Sequence, residues 1–366
     1  MRAVRYHGNR DVRVDDIPEP ECRPGFVKIA PEWCGICGSD VHEYLVGPET
    51  IPSPEAPHPI TGESVPVVLG HEYAGTVVEV GAGVGDGVRV GDRVAVEPII
   101  RDNDCPNCLA GHYNLCPQLG FHGLSGYGGG LAEFSVVPGY MVHVLPDNVP
   151  TDAAALIEPL AVGWHAAKMA DLRDGDSVLI IGAGPIGLVT LLAVKLMGAG
   201  DVVVVELSSA RKAKAAELGA DLVLDPAHDD VAGALAERFG QGVDVAFDAG
   251  GNAATIALAL SSVRPKGRVV NIALWEHPVE FDMFSMLFKE SNLTASCAYC
   301  NDHGEVIDAL ASGRIDVTPL ITGRITFEEI VTGGIQELID NRDAHVKILV
   351  HPGQALAGPP AVAPSR

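Results

Sequence analysis

Apolar residues along this chain follow two rhythms. Through about residue 155 they come in short runs broken by Gly and Pro. FVKIA, YAGTVVEVG, DRVAVEP and EFSVVP have the length and β-branched content of strands between turns. These runs predict a compact β-rich domain. Residues 47–63, GPETIPSPEAPHPITGE, carry five prolines and read as a long loop. Loops of that length are often lids or binding loops.

Near Pro159 the rhythm changes. DSVLIIGAG is an apolar run ending in glycines, the mark of a parallel strand buried on both faces. PIGLVTLLAVKLMGA follows as a helix with proline in its first turn, and DVVVVE as the next strand. SSARKAKAAELGA predicts a helix opened by serine and closed by glycine. Strand-like runs recur in ADLVLD, VDVAFDAGG and GRVVNIA, with helical segments between. Such alternation predicts an α/β, doubly wound parallel sheet. NLTASCAYC, HGEVIDALASGRI and HVKILVHP are expected to finish that sheet and return the chain to the first domain. The expected division is 1–157 with 296–352, then 158–295, then a Pro/Ala-rich flexible tail at 353–366.

Composition narrows the function. A chain of 366 residues suits about two domains, and 47% hydrophobic content suits a globular one. A net charge of -23 repels phosphate backbones, so nucleic acid is not an expected partner. No apolar run reaches the roughly 18 residues of a membrane span, and the N-terminus lacks a signal-peptide pattern. Eight cysteines are too few for a disulfide scaffold. Cys105, Cys108 and Cys116 have metal-like spacing, which suits a reducing cytoplasm.

GAGPIG supplies Gly182, Gly184 and Gly187 as G-x-G-x-x-G, with Pro185 and Ile186 between. The first glycine permits the tight turn, the second lets backbone approach a pyrophosphate, and the third lets helix and strand pack closely. Alone the motif is weak. Here it lies between a strand and a helix, the context a dinucleotide site needs. Glu206 ends the next strand, at about the spacing from which a carboxylate accepts hydrogen bonds from ribose hydroxyls. It favours NAD over NADP. Arg211 lies nearby and would soften that preference if it faced the cofactor.

Cys37 in WCGICGSDVHEY, His71 and Glu72 in LGHEYAG, and Glu158 in LIEPLAVGWH offer a thiolate, an imidazole and carboxylates, a donor set that suits zinc. Their separation in sequence leaves open whether they meet. Cys34 reads as a small buried residue, and Cys297 and Cys300 read as core residues.

CGICGSDVHEY, GHEYAGTVVEVG, VGDRVAVEP, CPNCLAGHYNLC, GGGLAEFSVVP and GAGPIG occur together and in order. The chain thereby resembles the zinc-dependent medium-chain alcohol and polyol dehydrogenases over nearly its whole length. HEYLVGP, HPITGE and YNLCPQLGFHGLSGYGGGLAEF are similar to the branch that acts on (R,R)-2,3-butanediol and acetoin. The resemblance implies a GroES-like catalytic domain beside a Rossmann NAD-binding domain. Cys37 and His71 would hold a catalytic zinc. Glu158 would stand where the polyol branch uses glutamate, and Glu72 would be a direct or intermittent ligand. Asp40 would accept a hydrogen bond from His71 and orient its ring. Ser39 would contact the substrate hydroxyl, and His42 would pass its proton towards solvent. Lys347 would reach the cofactor pyrophosphate. The family's structural zinc lobe usually has four cysteines. Here Asp102 takes the first position ahead of Cys105, Cys108 and Cys116, so the set would be one aspartate and three thiolates. A homodimer or homotetramer is expected by the same resemblance.

Three other readings compete. A sorbitol, threonine or other secondary-alcohol dehydrogenase would share all of these motifs. A zinc-free quinone or enone reductase would need no ligand set. A non-catalytic nucleotide-binding protein would need neither the ligands nor the Ser39–His42 pair.

Overall fold

A computed structural model describes residues 1–275, 277–280 and 282–352. The expected flexible tail at 353–366 lies outside the described residues. The chain forms two compact units: 1–100 with 120–155 and the segment from Ile321 onward, and 101–119 with 156–320.

In the first unit the sheet order is Val142–Val144, Arg93–Val96, Glu72–Val80, Phe26–Gly35, Lys347–His351, Ile321–Thr326. Ser135–Pro138 also pairs with Phe26–Gly35. The four strands expected from the N-terminal runs are all present. The core between them includes Val27, Ile29, Tyr73, Val77, Val94, Val96, Ile348 and Val350, all buried. Residues 47–63 form a loop, apart from an isolated bridge between Ser53 and Ala56. His122 is buried in this unit and bonds Ser135 Oγ at 2.8 Å, which in turn lies 3.0 Å from the Tyr73 hydroxyl.

In the second unit six parallel strands run in the order Leu222–Leu224, Val202–Val205, Val178–Ile181, Val243–Asp248, Val263–Asn271, Asn292–Ala295. By position in the chain this is 3-2-1-4-5-6, the doubly wound order. All four residues of Val178–Ile181 and of Val202–Val205 are buried, as expected of strands covered on both faces. Helix Pro185–Leu196 opens with its proline, and helix Ser209–Glu217 is capped by the Ser208 hydroxyl.

The division departs from the sequence-based one at two places. Residues 101–119 group with the second unit, and the chain returns to the first at Ile321 rather than near 296. Hydrogen bonding explains both. Asn114 Nδ2 donates to Cys297 O at 2.8 Å, Asn301 N donates to the Tyr113 hydroxyl at 2.6 Å, and Cys300 Sγ donates to Gly111 O at 2.8 Å. Helix His303–Ala311 is tied to helix Ile157–Met169 by Lys168 to Asp302 and Trp164 to Glu305. Cys297 and Cys300 are therefore not core residues. Cys297 is exposed, Cys300 half-buried, and both face the 111–114 backbone. Cys34 is buried, as expected.

Gly187 sits where a Cβ would meet Gly182 O at 1.9 Å. Gly187→Ala is expected to cost about 1–3 kcal/mol by overpacking, read from the urea midpoint. Burial, with the nearby charge of His71, pushes the His122 imidazole down to about 3. The unfolded chain binds this proton below about pH 6.5 and the folded chain does not. Stability should fall between about pH 6 and 3, by at most about 1.4 kcal/mol per pH unit from this group. A buried neutral substitute such as His122→Gln should flatten that part of the urea-midpoint pH profile.

Candidate active site

Cys37 is the N-cap of helix Gly38–Val46. Its backbone N–H donates to Asp40 Oδ2 at 2.9 Å while its sulfur accepts from the helix backbone. A negative sulfur is favoured there by the free N–H groups and the helix dipole. His71 and Glu72 enter from the start of strand Glu72–Val80. The donor atoms of Cys37, His71 and Glu72 all lie within 4.8 Å of one another. The fold has thus brought together residues from two distant segments, which spacing alone left open.

The surroundings orient this cluster. His71 Nε2 lies 3.3 Å from Ser39 Oγ. Its Nδ1 lies 3.7 Å from Asp40 Oδ1, a charge contact rather than the expected hydrogen bond. Asp40 is buried, and desolvation pushes its carboxyl above the ordinary range. Glu72 is 1% exposed and Lys347 4% exposed. Lys347 Nζ donates to both Glu72 oxygens at 2.6 Å and to Ile36 O at 3.2 Å. Lys347 thus stands on a carboxylate, because a buried ammonium needs an opposite charge beside it. Gly35 makes room for this pair: a Cβ there would meet Glu72 Oε2 at 2.1 Å. Reading the sequence missed Gly35, although its place two residues before Cys37 was a usable signal.

Two acids and a thiol around one imidazole, answered by one lysine, form a donor set that a divalent ion such as zinc fits. Glu158 belongs to the second unit, buried in the first turn of helix Ile157–Met169.

Asp102, Cys105, Cys108 and Cys116 form a second cluster, with one donor atom from each inside 4.8 Å. Asp102 Oδ1 accepts from the backbone N–H of Asp104 and of Cys105, both at 2.9 Å, which holds its carboxyl down to about 2. Cys105 Sγ accepts from Cys108 N at 3.3 Å, and Cys116 Sγ from Gln118 N at 3.4 Å. Burial and the neighbouring Cys105 thiol push Cys108 up to about 12. Crowded thiols of this kind release their protons when a metal binds them. The aspartate is ionised and placed, so the set fits zinc as one oxygen and three sulfur donors.

The glycine loop lies at the switch point of the parallel sheet, between the ends of Val178–Ile181 and Val243–Asp248. Gly182 has φ 96, and Gly184 is the N-cap of helix Pro185–Leu196. Ile186 and Gly187 complete the first turn, where backbone N–H groups favour an anion. Glu206 Oε2 accepts from Ala183 N at 2.7 Å, and Oε1 accepts from Leu207 N and Ser208 N at 2.8 and 2.9 Å. A carboxylate fixed beside the loop in this way can meet a ribose diol. Arg211 Nη1 lies 3.9 Å from where a Gly184 Cβ would stand, so this arginine faces the loop rather than bulk solvent.

Comparison with known proteins places these sites in a family. The model described as "Alcohol dehydrogenase GroES-like domain" matches residues 23–147, and "Zinc-binding dehydrogenase" matches residues 185–312. The chain is 43% identical over 354 residues to the (R,R)-butanediol dehydrogenase of Neisseria gonorrhoeae, covering 96% of this chain and 99% of that protein. It is 37% identical over 334 residues to human sorbitol dehydrogenase, covering 89% and 90%. The crystal structure of 2R,3R-butanediol dehydrogenase from Bacillus subtilis superposes with a TM-score of 0.91 at 41% identity, over 96% of this chain and 99% of that one. The chain belongs to the zinc-dependent medium-chain alcohol dehydrogenases, with a GroES-like domain and a doubly wound nucleotide-binding sheet.

Proposed function

We propose that this enzyme interconverts (R,R)-2,3-butanediol and acetoin with zinc and NAD. The observation that carries the chemistry is the meeting of Cys37, His71 and Glu72 within 4.8 Å, beside the Ser39 hydroxyl. The substrate reading is supported by the 43% identity to a butanediol dehydrogenase along almost the full chain.

Cys37 and His71 would hold the ion, and Glu158 is proposed as a further ligand on the strength of the family pattern. Glu72, tied to Lys347, is proposed as a direct or intermittent ligand whose charge is shared with that ammonium. Zinc, when bound, supplies Lewis acidity at the substrate oxygen, and NAD supplies the hydride acceptor. The remaining work falls to the chain itself. Asp40 holds the Cys37 turn and faces His71 with negative charge, which keeps the ring oriented. Ser39 Oγ would accept the hydroxyl proton of the substrate as it gives up its own, and His42 would pass that released proton on to solvent. The loop from Gly182 to Gly187 cradles the pyrophosphate, and Glu206 takes the ribose hydroxyls and repels a 2′-phosphate.

A carboxylate-bearing ligand set is harder than a thiolate-rich one and suits a substrate with a second oxygen. Vicinal diols and hydroxyketones should therefore bind better than monoalcohols. Among the described residues no helix is long and apolar enough to cross a membrane. The eight cysteines are free, which supports a reducing, cytoplasmic setting. A homodimer or homotetramer is proposed from the family likeness.

Two measurements test this reading. NAD-linked oxidation of (2R,3R)-, (2S,3S)- and meso-butanediol should be compared with ethanol, sorbitol and threonine, with and without a chelator. The (2R,3R) isomer should give the highest kcat/KM, and chelation should abolish turnover. A higher value for sorbitol would move the enzyme to the polyol branch. Elemental analysis should find near two zinc ions per chain, and near one after Cys108→Ser with Cys116→Ser. A wild-type value near one would remove the metal from the Asp102 cluster.

A further inference from the structure

Helix Gly38–Val46 carries a second buried acid that the chemistry above does not use. Glu43 is 1% exposed. Its Oε2 accepts from Glu49 N at 2.9 Å. Its Oε1 accepts from Thr50 N at 2.5 Å, Thr50 Oγ1 at 2.6 Å and Ile51 N at 3.3 Å. The Gly47 N–H also returns to Glu43 O at 2.9 Å. The segment 47–51 is thus wrapped around one carboxylate and fixed to the helix beneath it. An isolated buried carboxylate is costly, and these donors compensate it only while the wrap is kept. The wrap turns the Glu49 side chain back over the helix, where its Oε2 lies 2.8 Å from His42 Nε2. Both groups reach water: the His42 side chain is 33% exposed and that of Glu49 57%.

We propose that Glu49 is the proton-exit group for His42, held in place by Glu43. This rests on the reading of His42 as the carrier of the substrate proton. A carboxylate oxygen at hydrogen-bond distance fixes the neutral ring with its proton on Nε2, which makes Nδ1 the acceptor nitrogen of the ring. A proton arriving at Nδ1 is matched by loss of the Nε2 proton to Glu49 Oε2. Glu49 then releases that proton to water and returns to a carboxylate. The ring resets by exchange of its remaining proton with solvent. No charge accumulates on the enzyme over the cycle, and no co-reactant is needed beyond water. Glu49 touches neither substrate nor cofactor in this scheme. It sets the tautomer of His42 and takes its proton.

The test uses the full chain with Glu49→Ala, an exposed position whose backbone contacts to Glu43 survive, beside His42→Ala. Ring ¹⁵N shifts of His42, assigned by their loss in His42→Ala, are recorded without substrate. Single-turnover NADH formation from (2R,3R)-butanediol is followed near neutral pH in dilute buffer, then with added imidazole. Wild type should show an Nε2–H ring, and Glu49→Ala a mixture of tautomers. Glu49→Ala should slow turnover about threefold to tenfold, a fraction of a full acid–base contribution, and imidazole should restore it. Unchanged ring shifts and rate in Glu49→Ala, with His42→Ala slow, would overturn the role of Glu49 and leave the His42 relay standing. A fast His42→Ala would overturn the relay and this proposal with it.

Discussion

The first unit is built around charge that has to be balanced without water. Asp40 and Glu72 are each 1% exposed, and they converge with Cys37 on the His71 ring. Burying a lone carboxylate costs several kcal/mol, so such a group must find a cation, a hydrogen-bond donor or a proton. Asp40 takes the Cys37 N–H and the facing imidazole. Glu72 takes Lys347. A divalent ion bound by Cys37 and His71 would add positive charge where the remaining negative charge is concentrated. The same balance explains Gly35, since the Glu72–Lys347 pair fits only because the strand opposite has no side chain there.

The buried pair also bears on which carboxylate serves the metal. Glu72 already stands among the metal-type donors, but both of its oxygens lie 2.6 Å from the Lys347 ammonium, which competes for its charge. Breaking a buried pair leaves an uncompensated charge and is strongly unfavourable. Helix Gly38–Val46 gathers three of these groups in one short element: the Cys37 sulfur at its N-cap, the Ser39 hydroxyl in its first turn, and His42 beside Glu49 at its surface.

The second unit applies the same economy to anions. Its glycine loop stands at the switch point of the sheet, and Glu206 is locked by three backbone N–H groups before any ligand arrives. An acceptor fixed in this way loses little freedom when it meets a donor, so its placement is set by the fold. The Asp102 cluster is likewise shaped in advance by N–H donation to its carboxylate and sulfurs.

Local pattern alone determined much of this protein. Apolar runs of fixed length mark strands, a serine and a glycine bracket a helix, and G-x-G-x-x-G after a buried strand marks a tight turn into a helix N-terminus, because each depends on neighbours within about 20 residues. Cys105, Cys108 and Cys116 stood out by local spacing for the same reason, whereas Cys37, His71 and Asp102 were assigned as metal ligands only with the family resemblance. Other features came from contacts between segments far apart in the chain. Nothing local to Lys347 pointed to Glu72 as its partner until strand Lys347–His351 set the two together. Cys297 and Cys300 could be read as core until the 111–114 turn met them. Segment 101–119 could be assigned to either unit until Asn114 and Tyr113 found partners at 297 and 301. A sequence states which groups need a partner. Only tertiary structure decides which distant partner satisfies them, because the energy of a buried charge or hydrogen bond depends on what the folded chain places within about 3 Å of it.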